Sequence, residues 1–335
     1  MTDGRSPAPL LTDLTSAQVT DAVRGRTVVW PVGAIEQHGP HLPLSVDLIL
    51  AEGFAEGIAR ELDAFVLPAQ AVGARSLPQS GGGLHFPGTV YVAGDTLVRF
   101  LRETLSALAA LPMGRLVVVN GHYENEPFLF EALDQVREQG LFDGAEVFAF
   151  SWWSLVRDTW AATEIPAFPG WHAEHAGVTE TSLMLHLRPD LVTDERPDHD
   201  DPPRAGIYLH PVDVGQTTHR GVLSSTSGSS AGLGERLLRH VVDEATALVR
   251  DGSGLLFAQS RPDRRPDRRP DRRPDRSPGR RPDRASDHRP DPRPDRSPDR
   301  APEPGGSGPG ADLRAPDHRP DAQRRTAVHA EGNQQ

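Results

Sequence analysis

Two short apolar runs constrain the fold of this chain more than any other feature. Residues 27–32 (Thr-Val-Val-Trp-Pro-Val) and 115–119 (Arg-Leu-Val-Val-Val) are almost continuously apolar and rich in valine. Such runs are typical of parallel strands that are buried on both faces of a sheet. Because parallel strands must be joined by crossover connections, which are usually helices, the two runs predict an α/β protein.

Helix and strand patterns alternate along residues 10–255, as this prediction requires. The periodicity predicts strands at 28–32, 65–67, 116–119 and 146–150, and helices at 47–62, 95–111, 127–139, 178–187 and 233–250. Asn125 or Glu126 is the expected N-cap of the helix over 127–139, and Gly140 is its expected end. The pattern predicts an α/β fold, a single three-layer domain with a mainly parallel central sheet and helices on both faces.

The last quarter of the chain has a different composition. From Arg261 it consists of Arg-Pro-Asp-Arg repeats, followed by a Gly/Pro/Ser stretch at 305–310 and a polar end. Frequent proline and scarce apolar side chains leave little surface to bury against the entropy of ordering the chain. We therefore predict a folded domain over 1–259 and a disordered, Arg-Pro-Asp-rich tail over 260–335.

Charge and the absence of cysteine exclude several classes of protein. The tail carries 19 arginines and 14 acidic residues, so the remainder has 17 basic and 33 acidic residues, a net charge of −16. A domain of that charge disfavours nucleic acid and anionic membranes and suits small molecules and metal cations. Without cysteine there is no disulfide or thiolate nucleophile, and any metal ion must be held by histidine and carboxylates.

No segment approaches the length of a membrane-spanning helix. The longest apolar runs fall well short of the roughly 20 residues that a span needs, and residues 1–9 lack the apolar core of a signal peptide. These features predict a cytoplasmic protein.

A carboxylate and an imidazole follow each of the two apolar runs, two residues apart: Glu36 with His38, and His122 with Glu124. In extended backbone each pair projects to one side, and the carboxyl ends of parallel strands meet at one edge of a sheet. With Asp47, which opens the predicted helix between them, they form a set typical of zinc or manganese. Five ligands exceed what one tetrahedral ion needs, so we predict two divalent ions bridged by Asp47, and hydrolysis as the chemistry.

Residues 171–182 form a third polar cluster. His175 is a candidate for carrying a proton to a leaving nitrogen, although it is also placed to cap the helix that follows. Glu180 is either part of the site or a first-turn acid favoured by the helix dipole, and the sequence leaves both open. Trp152, Trp153 and Trp171 flank the cluster and either enclose a flat ligand or pack in the core.

Two of these stretches resemble signatures of the creatininase (creatinine amidohydrolase) family. Residues 31–44, Pro-Val-Gly-Ala-Ile-Glu-Gln-His-Gly-Pro-His-Leu-Pro-Leu, together with Asp47, are similar to its N-terminal signature. The family's Asn-Gly-His motif stands at 120–122 and is followed by Tyr-Glu-Asn, as in creatininases proper. The resemblance covers roughly residues 25–250, including segments 80–89, 151–153, 170–175 and 221–225.

The resemblance implies a centre of two divalent ions, zinc, manganese or both, in a homohexamer. Glu36 and His122 would hold one ion, His38 and Glu124 the other, and Asp47 would bridge them. The catalytic residues that the resemblance implies are His175, Glu124 and Glu174. The substrate-binding residues that it implies are Ser80, Tyr123, Trp171 and His172, together with Trp153, which would gate the pocket. His172 occupies a position where creatininases proper carry an acid, which would suit a guanidino-like substrate better.

The function predicted from these observations is reversible, metal-dependent hydrolysis of creatinine to creatine by a hydroxide that bridges the two ions. One alternative is a family member that acts on another amide, such as a formamide or the peptide of a modified precursor such as that of mycofactocin. Another is a scaffold protein with a structural metal, although such a site is normally closed by four protein ligands.

Overall fold

A four-stranded parallel sheet forms the centre of the protein. The computed structural model describes residues 6–165, 168–199, 201, 207–208, 210–213 and 219–252, so the predicted tail lies outside the described residues. The sheet comprises β1 (Thr27–Val32), β2 (Phe65–Val66), β5 (Arg115–Asn120) and β6 (Glu146–Ser151), in the order β2-β1-β5-β6. A separate parallel pair, β3 (Gly73–Ala74) and β4 (Tyr91–Val92), lies in the loops.

Helices cover both faces of the sheet. The helices in chain order are α1 (Ser16–Val23), α2 (Val46–Leu62), α3 (Pro78–Gly81), α4 (Gly94–Leu108), α5 (Glu126–Glu138), α6 (Asp158–Glu164), α7 (Val178–Leu187) and α8 (Ala231–Asp251). Helices α2, α7 and α8 share one buried apolar cluster with the sheet, and α1, α4 and α5 share another. The predicted three-layer α/β fold is confirmed.

The two-residue period of the strands distributes their side chains between the two clusters. Along β1, Val28 and Trp30 pack on the side of α4 and α5, whereas Val29 packs on the side of α2. Along β5, Leu116 and Val118 pack on the side of α4 and α5, whereas Val117 and Val119 pack on the side of α2. Both strands are buried on both faces, which explains why their sequences are continuously apolar.

The predicted long elements are present, with ends that differ by up to three residues. Helix α5 has Asn125 as its N-cap, and Gly140 follows it with a φ of 69°, as predicted for the end of the helix. The short helices α1, α3 and α6 and the pair β3 and β4 were not predicted. Each of these three helices buries a single residue, so it carries no apolar periodicity for sequence analysis to detect.

The strand order creates a crevice at the carboxyl edge of the sheet. From β1 the chain passes to β2 on one side, whereas β5 lies on the other side of β1 and pairs with it from Thr27 opposite Arg115 to Val32 opposite Asn120. Ligands of open α/β sheets bind where the strand order diverges in this way. Among the described helices none is long and apolar enough to cross a bilayer.

Candidate metal centre

The five predicted ligands converge at this crevice, and a sixth residue joins them. The segment after β1 supplies Glu36 and His38, the segment after β5 supplies His122 and Glu124, and α2 supplies Asp47 from its first turn. The sixth residue is Glu180, in the first turn of α7. All six are buried, with no more than 9% of any residue exposed.

Their ligand atoms form two groups that share Asp47. In the first group His122 Nδ1 lies 3.0 Å from Glu36 Oε2 and 3.0 Å from Asp47 Oδ2. In the second, His38 Nε2 lies 3.1 Å from Asp47 Oδ1 and 3.6 Å from Glu180 Oε2. Within each group, one ligand atom from every residue lies within 4.8 Å of the others. Each group is therefore close enough to hold a cation, and Asp47 would be a ligand in both.

Backbone carbonyl groups orient both histidines toward the centre. His38 Nδ1 lies 3.1 Å from the carbonyl oxygen of Glu36, and His122 Nε2 lies 3.2 Å from that of Ala74. A neutral imidazole that donates from one nitrogen keeps a lone pair on the other. When the rings are neutral, as cations in place of the protons would make them, His38 Nε2 and His122 Nδ1 would carry lone pairs that face the carboxylates, which is the arrangement found in histidine ligands of metals.

Three polar atoms of the centre have no hydrogen-bond partner among the residues that the structure describes. Glu36 Oε1, His38 Nε2 and Asp47 Oδ2 are buried and accept or donate no hydrogen bond of good geometry. Burial by itself lowers the pKa of His38, but Asp47 and Glu180 outweigh it and raise the pKa to about 10. The four buried carboxylates thus favour positive charge between them, and two divalent cations would balance it. The residues present fit such ions.

A glycine at the end of β5 allows Asp47 to reach the centre. A Cβ atom on Gly121 would lie 2.3 Å from the backbone oxygen of Asp47, and a Cβ on Gly33 would lie 2.8 Å from the same oxygen. Both contacts are with backbone, which has no freedom to move aside. The Asn-Gly-His motif thus contains glycine because α2 packs against the end of the strand.

Glu124 lies on the other side of His122. Its Oε2 is 3.4 Å from His122 Nε2, and its Oε1 accepts hydrogen bonds from the Ser80 hydroxyl and, at 3.2 Å, from the backbone N–H of Leu77. The three groups of converging ligand atoms among the described residues do not include it. The structure therefore places Glu180, and not Glu124, beside His38 and Asp47, and the role of Glu124 as a ligand stays a prediction.

Glu180 is the residue that sequence reasoning left open. It lies in the first turn of α7, where any acid is stabilised by the helix dipole, and that position alone does not reveal a ligand. Its Oε2 also accepts a 2.6 Å hydrogen bond from the backbone N–H of Ala176. Burial is the largest cause that raises the pKa of Glu180, and the negative charge of Asp47 raises it further, to about 8.

The residues predicted to bind substrate line one cavity beside the centre. It has a volume of about 30 Å³, and its walls include Ser80, Tyr123, Trp153, Trp171, His172, Glu174 and His175. Tyr123 stacks on Trp153 with ring centroids 5.8 Å apart, and both rings line the cavity. Ser80, Tyr123, Glu124 and His172 also line a neighbouring pocket of about 610 Å³, so the two cavities are adjacent.

Glu174 and His175 have different surroundings. The Glu174 carboxylate accepts hydrogen bonds from the backbone and hydroxyl of Thr179 and from Ser224, so it supports the start of α7. The His175 ring lies 4.5 Å from the His38 ring, and its Nδ1 is 4.0 Å from Glu36 Oε2. Burial lowers the pKa of His175 to about 4, which keeps the ring neutral.

Fold and centre together define a metal-binding α/β protein with its site at the carboxyl edge of a parallel sheet. The sequence model of creatininase, described as creatinine amidohydrolase, matches residues 12–249. The chain therefore belongs to the creatininase family and is a hydrolase of that family, as the resemblance implied.

Two of the relatives of known function have different activities from each other. Creatinine amidohydrolase of Pseudomonas putida is 38% identical over 228 residues, which cover 66% of this chain and 87% of the relative. A mycofactocin precursor peptide peptidase of Mycolicibacterium smegmatis is 31% identical over 242 residues, which cover 68% and 88%. These relatives belong to one family but act on different amides, creatinine in one case and a precursor peptide in the other.

Solved creatininases share the fold. A manganese form has a TM-score of 0.67 and 36% identity, and covers 73% of this chain and 98% of its own. A zinc–zinc form of a creatininase variant has a TM-score of 0.67 and 35% identity, with the same coverage.

Proposed function

We propose that the chain hydrolyses a cyclic amide at this centre and converts creatinine and water reversibly into creatine. The observation that carries the proposal is the pair of ligand groups that share Asp47. Two ions held there, zinc, manganese or both, would polarise a carbonyl group and make hydroxide available near neutral pH. The 38% identity with a creatinine amidohydrolase supports this choice of substrate.

The residues of the centre divide into holders of metal and walls of the substrate site. Glu36 and His122 would hold one ion, His38 and Glu180 the other, and Asp47 would contact both. Water oxygen adds to the ring carbonyl carbon, the bond from that carbon to the ring nitrogen breaks, and the nitrogen takes up a proton. The substrate-contacting residues in this proposal are Trp153 and Trp171 around the ring, Ser80, Tyr123 and His172 at the mouth, and His175 beside the amide.

Replacing His122 tests whether metal and catalysis depend on the same site. We expect His122→Ala to lose bound metal and turnover together, because the imidazole contacts both Glu36 and Asp47. Metal content by elemental analysis and a creatinine ring-opening assay on the same preparation would measure both. His186→Ala, a change on α7 away from the cavity, is the matched control and should retain both properties. Full turnover in His122→Ala would refute the proposed function.

The residue that follows Trp171 tests the choice of substrate. His172 lines both the metal cavity and the larger neighbouring pocket, so it is placed to contact a substrate at the mouth. We expect His172→Asp to raise creatinine turnover, because a carboxylate accepts hydrogen bonds from the guanidino-like N–H groups of the ring. Steady-state kinetics with creatinine would show a higher kcat/KM. An unchanged or lower kcat/KM would remove the reason for assigning this position to substrate recognition.

A second candidate substrate is the peptide of a modified precursor. The pocket of about 610 Å³ next to the centre is far larger than creatinine needs, and a family relative is a precursor peptide peptidase. Parallel assays of creatinine, a formamide and a precursor peptide on one enzyme preparation would rank the three by kcat/KM. A metal-containing protein that hydrolyses none of them would favour the structural scaffold instead.

Assembly into a homohexamer and a cytoplasmic location remain predictions. Multi-angle light scattering on the purified chain gives the mass of the particle, and a mass other than six times 36.4 kDa would remove the hexamer.

A further inference from the structure

In the sequence, Gln37 lies between the predicted metal ligands Glu36 and His38. It is buried, with 4% of the residue exposed. Its Oε1 accepts a hydrogen bond of 2.9 Å from the backbone N–H of Gly39. Its Nε2 donates to the carbonyl oxygens of Gly81, at 2.8 Å, and Gly221, at 2.9 Å. Rotating the amide by 180° would oppose oxygen to oxygen and N–H to N–H at all three contacts. The backbone therefore determines which end of the amide is nitrogen.

This nitrogen faces His175. Gln37 Nε2 lies 3.0 Å from His175 Nε2, in addition to its two carbonyl acceptors. An amide nitrogen donates hydrogen bonds and does not accept them, because its lone pair is delocalised. A proton on His175 Nε2 would therefore point at another donor. In the neutral ring the proton must lie on Nδ1, the nitrogen that is 4.0 Å from Glu36 Oε2.

We propose that Gln37 is a positioning residue that fixes the tautomer of His175, so that its Nδ1–H faces the metal centre. The arrangement is the reverse of that at His38 and His122, where a backbone carbonyl accepts the outer N–H and leaves the inner nitrogen with a lone pair. His175 is thus excluded as a metal ligand, although its Nδ1 lies close to ligand atoms of Glu36 and His38.

The tautomer also defines what His175 does for the reaction, and this step rests on the proposed function. A neutral imidazole with its proton on Nδ1 is a hydrogen-bond donor, because losing that proton would leave an anionic ring. Neutral histidines are known to polarise carbonyl groups in this way. His175 therefore donates a hydrogen bond to an oxygen or nitrogen of the bound amide, and the proton that the leaving nitrogen takes up is one that the attacking water releases.

Nitrogen NMR of protein labelled with ¹⁵N-histidine and loaded with zinc tests the tautomer directly. The two ring signals of His175 are identified as the pair that is missing in His175→Gln. We expect Nδ1 to resonate as a protonated nitrogen and Nε2 as an unprotonated one. A protonated Nε2 in the wild-type protein would overturn the proposal without any variant of Gln37.

Gln37→Met, which has nearly the same shape but no donor, tests the cause. We expect the two His175 signals to move toward a mixture of tautomers, and kcat to fall about 10- to 100-fold with KM little changed and zinc content retained. Gln70→Met removes a half-buried glutamine that donates to the carbonyl of Val72, and it should leave both signals as in the wild type. Unchanged His175 signals in a zinc-loaded Gln37→Met protein would refute the role of Gln37. Because the signals do not depend on the substrate, failure of the creatinine assay would leave this test intact.

Discussion

At the scale of residues, the centre is defined by the charges of its buried side chains and by the groups that orient them. Four carboxylates and three imidazoles lie together out of water, and each is oriented by a backbone group or by a neighbouring side chain. Uncompensated burial of so many charges would be strongly unfavourable, so we expect bound cations to stabilise this region. The residue whose position most changes the predicted ligand set is Glu180.

Replacing Glu180 distinguishes the geometry of the structure from the ligand set implied by resemblance. We expect Glu180→Gln to lower the metal content from about two ions to about one per chain, because the group around His38 loses a carboxylate. We expect Glu124→Gln to retain more metal per chain than Glu180→Gln does. Glu52→Gln on α2, away from the centre, is the control. Elemental analysis after dialysis measures all three, and loss of an ion only in Glu124→Gln would restore the assignment of Glu124.

At the scale of elements, helix starts and strand ends position the site. Asp47 and Glu180 both lie in the first turns of helices, α2 and α7, whose N-termini point into the crevice and favour negative charge there. Helix α7 is in turn held by α8, with which it shares the buried cluster that also includes α2. The start of α8 is therefore coupled through packing to the position of Glu180.

Ser230 stabilises the start of α8, since its side chain accepts a hydrogen bond from the backbone N–H of Leu233 at 3.2 Å. We expect Ser230→Ala to destabilise the protein by about 1 kcal/mol, because a helix N-terminus loses its cap. Ser230→Asp keeps an acceptor at that position and should retain most of the stability. Thermal unfolding of the three proteins measures the effect. Equal losses in Ser230→Ala and Ser230→Asp would show that the contribution is not capping.

At the scale of the whole molecule, the chain combines an acidic domain with an arginine-rich tail. Residues 1–260 carry a net charge of −16, and the complete chain carries −11. All residues of the candidate centre come from the acidic part, and the family match ends at residue 249. We therefore expect the chemistry to require nothing from the tail.

Truncation after Ser260 tests that separation. We expect the shortened protein to retain its metal content and its creatinine turnover, and to bind an anion-exchange column more strongly because its net charge changes from −11 to −16. The full-length protein, assayed in parallel, is the reference. Loss of turnover in a truncated protein that still unfolds at the same temperature would assign the tail a part in activity.

Sequence by itself determined the architecture and most of the centre. Two buried strands predicted the sheet, and carboxylate and histidine pairs beyond them predicted where metal would bind, because burial and the two-residue period are local properties of the chain. Four of the five predicted ligands, Glu36, His38, Asp47 and His122, fall into the two groups that share Asp47.

Only the tertiary structure decided which distant groups complete the site. Glu180 joins His38 because α7 packs beside α2, and Gln37 meets His175 across 138 residues of sequence. The proposed proton positions of His122 and His175 depend on the carbonyl of Ala74 and the amide of Gln37, which are 48 and 138 residues away in the sequence. Local patterns carry no information about such contacts, because they exist only after helices and loops far apart in the chain have packed together.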